Sequence, residues 1–223
     1  MTTATGTATT ATSTGRRFVR ADGPDKVTGS GRYTADLSMT GLLTAKFRYA
    51  QVSHGRITKL DVSAARAMPG VFAVLTADDV PPVRFGPMVQ DRTLFARDIV
   101  RFEGEIVAAV AAVDAATAQR AVDAIVVEYA LLPVVNDVVS AMAPDASLVH
   151  EHWADYGAAG VMVRDRNDAS FSSIAKGDID KGFAEADHIV RSHFESDGCH
   201  AAPIEPRAVV AQWEGELHLD AAA

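Results

Sequence analysis

The stretch that decides the fold runs from Gly104 to Pro133, GEIVAAVAAVDAATAQRAVDAIVVEYALLP. Ile106 to Val113 contains no polar residue, the mark of a strand buried on both faces of a sheet. Its eight residues suit a strand and fall far short of the roughly 20 that span a bilayer. Asp114 then stands as the N-cap of a helix running to about Ala124, its carboxylate placed to accept an otherwise unpaired first-turn amide. Ala118, Ala121, Val122 and Ile125 share one helical face and Gln119, Arg120 and Asp123 the other, as in a helix packed on a sheet. Ile125 to Tyr129 reads as strand again, and Leu131-Leu132-Pro133 ends it.

The same periodicities extend upstream. Leu42 to Ala50 alternates Leu42, Thr44, Lys46 and Arg48 with Leu43, Ala45, Phe47 and Tyr49, which predicts a half-buried strand whose apolar face is the aromatic one. Arg56 to Val62 alternates again through Ile57, Lys59 and Asp61, and Ser63 is placed to cap a short helix that Pro69-Gly70 ends. Val71 to Leu75 is a further strand. Thr76 and Asp79 have capping-box spacing before the Pro81-Pro82 break. Pro81 to Arg97 reads as a long loop returning to a strand at Ile99, and Val27 to Asp36 as a turn around Gly29 and Gly31. Strand and helix therefore alternate from Ser63 to Tyr129, predicting an α/β (α+β) domain with helices on a mixed sheet.

Downstream, Ser140 to Arg166 is rich in Ala, Asp, Gly and His and reads as a meandering connector between two domains. Asp178 is placed to cap a short helix through Ala186, Ile189 to Glu195 alternates as a strand, and Arg207 to Trp213 with Leu217 to Asp220 forms a hairpin around Glu214-Gly215. The second strand stops in Ala221-Ala222-Ala223, leaving an edge that another chain or further sequence is expected to cover.

Composition narrows the function classes. The chain has 223 residues, 48% of them hydrophobic, and a formal charge of −8, which argues against nucleic acid or an anionic membrane as partner. The first fifteen residues hold eight Thr and no charge; they lack the basic start and apolar run of a secretory signal and read as a disordered tail. One cysteine, Cys199, excludes an internal disulfide framework and suits a reducing, cytoplasmic setting. The glycines at 29, 31, 41, 55, 70 and 104 match neither a dinucleotide fingerprint nor a P-loop.

Three groups of residues could carry chemistry. His150-Glu151-His152 with Asp155 offers metal donors, although polar, Ala-rich surroundings favour a solvated role. Cys199, His200 and Glu205 could form a thiol triad, but neighbours on a strand point to opposite faces, so a buried structural thiol is the simpler reading. Glu103 and Glu105 flank Gly104 and read as a solvated turn. No catalytic, cofactor-binding or metal-binding residue is assigned from these patterns.

A family resemblance goes further. Arg20-Ala21-Asp22-Gly23, Lys26-Val27-Thr28-Gly29, Tyr33-Thr34-Ala35-Asp36, Ser53-His54-Gly55-Arg56-Ile57, Pro69-Gly70-Val71, Thr76 to Pro81, Gly104-Glu105, Val127-Glu128-Tyr129 and Leu132-Pro133 occur in the order seen in the large subunit of the xanthine dehydrogenase and aldehyde oxidase family. Together they resemble its α/β hammerhead domain. Lys176-Gly177-Asp178, Phe183 and Ala186-Asp187, then His200 with Pro203, Glu205 and Pro206, resemble the beginning of its molybdenum-binding region. The resemblance implies a tail at 1–16, a hammerhead domain at 17–139, a connector at 140–170 and the incomplete start of a molybdopterin-binding domain at 171–223.

It also implies an enzyme that hydroxylates a small molecule with a molybdenum–pterin cofactor, passing electrons to iron–sulfur clusters and usually FAD on partner subunits or domains. The family's glutamine-bearing strand, Gly-Gly-x-Phe-Gly loop and glutamate base have no counterpart in this sequence. The expectation is therefore that the chain does not bind the cofactor or act alone, and that it requires the remaining molybdenum-binding part. His200 and Glu205 are expected to fix a loop. The alternative is a non-catalytic scaffold or interaction module that keeps the hammerhead fold.

Overall fold

A computed structural model describes residues 20–157, 163–171, 173–203, 205, 207–215 and 217–222; the expected tail at 1–16 and Pro206 lie outside them. The chain separates into two compact units, one drawing on residues up to Met39 and from His193 onward, the other spanning Thr40–Ser192.

In the larger unit β1 (Thr44–Tyr49), β2 (Gly55–Asp61), α2 (Ser63–Arg66), β3 (Val71–Thr76), β4 (Ile99–Val100), β5 (Ile106–Ala112), α3 (Ala115–Asp123) and β6 (Val126–Leu131) follow α1 (Gly23–Thr28) of the other unit. Two three-stranded sheets result, ordered β1-β5-β3 and β4-β2-β6. Every ladder among the described residues is antiparallel, a narrower arrangement than the mixed sheet expected. α4 (Val138–Ala141), the hairpin β7–β8 (Val163–Asp165, Asp168–Phe171) and α5 (Ile179–Ala184) complete the unit. The smaller unit adds the hairpin β9–β10 (Ala208–Trp213, Leu217–Ala222).

The apolar run takes the central position its composition requires. β5 lies between β1 and β3, with Val107, Ala108, Val110 and Ala112 buried. Asp114 accepts the Thr117 amide at 2.6 Å and starts α3. Ala118 and Ala121 meet the sheet with no exposed surface, alongside Val122 and Ile125. Small side chains bring the helix backbone close, and the first core cluster adds Ala65, Val74, Ala108 and Val110. A second cluster holds Ala50, Ala96, Val100 and Val107. Leu60 and Val127 touch both.

Leu60 reaches that position because β2 does not alternate cleanly. Its pairing with β6 runs Ile57↔Tyr129 and then Lys59↔Glu128, so Thr58 is an extra residue and the side chains beyond it change face. Lys59 is thereby exposed and Leu60 turned inward.

Other local expectations resolve differently. Ser63 is not the cap of α2: its amide and hydroxyl both donate to Asp61, at 3.0 and 2.6 Å. The Thr76–Asp79 box forms as its spacing predicts, with Asp79 accepting from the Thr76 amide at 2.8 Å. Gly70, at φ +87°, ends the α2 turn where a Cβ would come within 3.0 Å of Val113. Val27 and Thr28 close a helix that Gly29 ends in the left-handed region. The end of α4 and most of the β7–β8 hairpin fall within 140–170, the segment read as a connector. Ile189 to Glu195 has no strand pairing among the described residues, since an alternating pattern becomes a strand only where a neighbour supplies the ladder.

Replacing Ile125, 2% exposed in the first cluster, by alanine should cost about 2–5 kcal/mol in urea unfolding. Val126→Ala beside it, 47% exposed, should change stability by less than about 0.5 kcal/mol.

Candidate functional site

The residues with most chemical potential converge in the Thr40–Ser192 unit, around the start of β2 and the turn into β5. His54 is 6% exposed. Its Nδ1 lies 2.6 Å from the Pro133 carbonyl, and its own carbonyl accepts the Leu132 amide at 3.1 Å, so it latches the end of β6 to the start of β2. Its Nε2 is buried and has no hydrogen-bond partner among the described residues.

Glu105 corrects the sequence reading. Gly104 adopts φ +93°, which a Cβ would resist, and the turn it makes swings Glu105 inward while Glu103 stays exposed. The Glu105 carboxylate accepts the Arg101 amide at 2.6 Å. Burial pushes its pKa above the usual carboxylate range, while the Arg101 amide, the Arg101 charge and His54 pull the other way. Arg101 is anchored on the carbonyls of Val149 at 3.1 Å and Ile99 at 3.3 Å.

Next to this group a cavity of about 360 Å3 is lined by Arg56, Arg84, Arg97, Arg101, Glu151 and Tyr156, among others. Arg84 lies 4.7 Å over the Tyr156 ring, a cation–π contact. His150 meets the same ring edge-on, with Nδ1 2.8 Å from its hydroxyl. Burial and then Arg101 hold the His150 imidazole below its ordinary value, against the raising effect of Asp91. Arg56 pairs with Glu151 at 3.5 Å and Arg97 with Asp78 at 3.2 Å. The walls thus carry both signs of charge, with Arg56 and Glu151 paired and Asp91 and Asp98 among the lining, a polar site rather than a single-sign anion trap.

The His150 group therefore divides. His150 turns to Tyr156, Glu151 to Arg56, and His152 to Asp155 at 3.7 Å. No cluster of three or more His, Cys, Asp or Glu that could hold a metal occurs among the described residues. In the smaller unit Cys199 and His200 are exposed, so the thiol is not the buried one expected. Glu205 lines a separate pocket with Asp22, Lys26 and Arg32, and no described hydrogen bond or ion pair joins it to His200. Nearby, Lys26 and then Arg20 draw the Asp22 carboxyl down to about 2. The sequence reading passed over the His54–Glu105–Arg101 group; the signal was a histidine just before one apolar strand and a glutamate just before another.

Comparison with known proteins follows the chain in order. Residues 28–133 match the family model described as aldehyde oxidase and xanthine dehydrogenase, a/b hammerhead domain, and residues 163–222 match the molybdopterin cofactor-binding domain. The carbon monoxide dehydrogenase large chain of Hydrogenophaga pseudoflava is 36% identical over 84% of this chain and 24% of its own length. The nicotinate dehydrogenase large molybdopterin subunit of Eubacterium barkeri is 32% identical over 91% of this chain and 45% of its own length. Among solved structures, quinoline 2-oxidoreductase from Pseudomonas putida 86 superposes with a TM-score of 0.75 at 32% identity, covering 91% of this chain and 26% of that one. The chain spans between about a quarter and a half of the length of these curated relatives.

Glu105 and His150, both half-buried, should leave opposite pH signatures. Glu105, with its folded pKa raised above 4.5, adds stability at low pH that is lost as pH rises through the folded value. His150, lowered below 6.5, adds stability above that value that is lost on acidification. In urea unfolding between about pH 4 and 8, Glu105→Gln should flatten the loss on raising pH and His150→Gln the loss on lowering it. A uniform offset at every pH would contradict the assignment.

Proposed function

The chain belongs to the aldehyde oxidase and xanthine dehydrogenase family, and we propose that it is the N-terminal portion of a molybdenum hydroxylase large subunit. In this reading it contributes to the oxidative hydroxylation of a small molecule only together with a part that holds the cofactor. The observation that carries the proposal is collinearity: a hammerhead match at 28–133 precedes a cofactor-domain match at 163–222, within a chain spanning about a quarter of the carbon monoxide dehydrogenase large chain.

A molybdenum–pterin group would supply a Lewis-acid and two-electron redox centre in the complete enzyme. The described residues of this chain do not fit it unaided. Gly177, Gly182, Gly198 and Gly215, within the matched cofactor region, have nothing within 4 Å of a Cβ position, so none forms a tight backbone cradle. The pocket beside α5 is lined by Ile179, Phe183, Ile189 and Val190 with His188, an apolar wall with few donors for a pterin or pyrophosphate. No catalytic, cofactor-binding or metal-binding role is assigned to a residue of this chain. Partners in the proposal are the remaining molybdenum-binding part and iron–sulfur and flavin subunits.

A second reading, a scaffold or interaction module retaining the hammerhead fold, draws on a different observation. Phe47, Tyr49, Phe72 and Leu75 in the β1-β5-β3 sheet are each at least 40% exposed, and exposed large apolar side chains grouped on one sheet mark interaction sites.

Elemental analysis of the purified chain should find molybdenum well below one equivalent, and co-expression with a chain carrying the Gly-Gly-x-Phe-Gly loop should give a complex holding molybdenum. Stoichiometric metal in the isolated chain would overturn the proposed division of labour. A stable complex that stays metal-free would favour the scaffold reading.

A further inference from the structure

We propose that the free edge of β1 is a docking site for an extended, acidic segment of another protein chain, which adds to the β1-β5-β3 sheet as a fourth strand. β1 pairs only with β5, on one side. Among the described residues, none of the backbone groups of Thr44–Tyr49 has a hydrogen bond on the other side. Every second residue of a strand directs its amide and carbonyl outward, so such an edge is a template for one more strand. The opposite edge is treated differently: Arg66 donates to the Val74 carbonyl of β3 at 3.3 Å, and α2 packs beside it.

The site has a shape as well as an edge. A groove of about 480 Å3 follows β1 and is lined by Lys46, Phe47, Arg48, Tyr49, Gln51 and Gln119, among others. Residues from both faces of the strand line it, as a channel along an edge requires. Strand addition supplies affinity through the main chain and selectivity through alternate side chains.

Charge selects the occupant. Lys46 and Arg48 share one face of β1, half-buried against α3. Lys46 donates to Gln119 at 3.1 Å and Arg48 to Gln51 at 3.4 Å, so both cations rest on neutral amides, while Asp123, the acid that lines the groove, accepts from Gln119 at 2.9 Å. The Arg48 Nε is buried and lacks a hydrogen-bond partner among the described residues. Carboxylates on the same face of an incoming strand would meet both cations, and opposite-charge cross-strand pairs stabilise while like pairs do the reverse. A second copy of β1 would set Lys46 against Arg48. The first nineteen residues of the sequence hold Arg16 and Arg17 and no acid, so they do not supply the carboxylates either.

The test uses the full chain and two seven-residue capped peptides, one alternating glutamate with valine and the other lysine with valine. The glutamate peptide should bind, slow amide exchange at alternate residues of 44–49, and bind at least about tenfold tighter than the lysine peptide. The double variant Lys46→Glu, Arg48→Glu should reverse that preference. Equal affinity for both peptides, or exchange protection away from β1, would overturn the proposal, as would self-association of the chain with protection confined to β1. Should the double variant not fold, the two-peptide exchange comparison on the unaltered chain decides.

Discussion

The structure of the larger unit depends on how closely α3 can approach β5. Ala108 in the strand and Ala118 and Ala121 in the helix have no exposed surface, and with only methyl groups between them the two backbones lie near one another. Larger residues then gather round the contact: Val74 and Val110 from the sheet, Val122 and Ile125 from the helix and its exit. A wider helix face would lift α3 off the sheet and open voids that close-packed interiors do not tolerate.

From that contact the second sheet follows. Ile125 leads directly into β6, which pairs with β2, and the extra residue at Thr58 turns Leu60 into the space between the two core clusters. The polar group lies at the far end of the same strands. His54 fastens Leu132 and Pro133, while Glu105 receives the Arg101 amide. These contacts tie the end of β6 and the turn into β5 to neighbouring backbone.

Much of this was legible where a local pattern and its tertiary setting agree. The uninterrupted apolar run, the Asp114 cap and the two helix faces translated directly into β5 and α3, because burial and capping are short-range demands. β1 misled. Its aromatic residues suggested the inward face, yet Phe47 and Tyr49 are 40% and 48% exposed and Lys46 and Arg48 lie half-buried beside α3. Long aliphatic stems can cover a helix while their heads reach polar partners, and periodicity alone does not say which side of a strand the helix takes. Glu105 was hidden for a similar reason, since a glycine turn between two acids gives no hint that one of them folds inward. The β7–β8 hairpin went unread because its turn uses Arg166 at φ +53° and Asn167 rather than glycine.

Asn167 gives that hairpin an influence beyond its size. Its side-chain oxygen accepts the Val149 amide at 2.9 Å, and its nitrogen donates to the carbonyls of Ala141 at 3.0 Å and Ser147 at 2.9 Å. One amide thereby closes three loops of 18, 26 and 20 residues at once. Each loop closure is entropically costly before its contact forms. The course of the stretch from Ala141 to Val149 therefore hangs on one side chain carried by the hairpin that follows it in sequence.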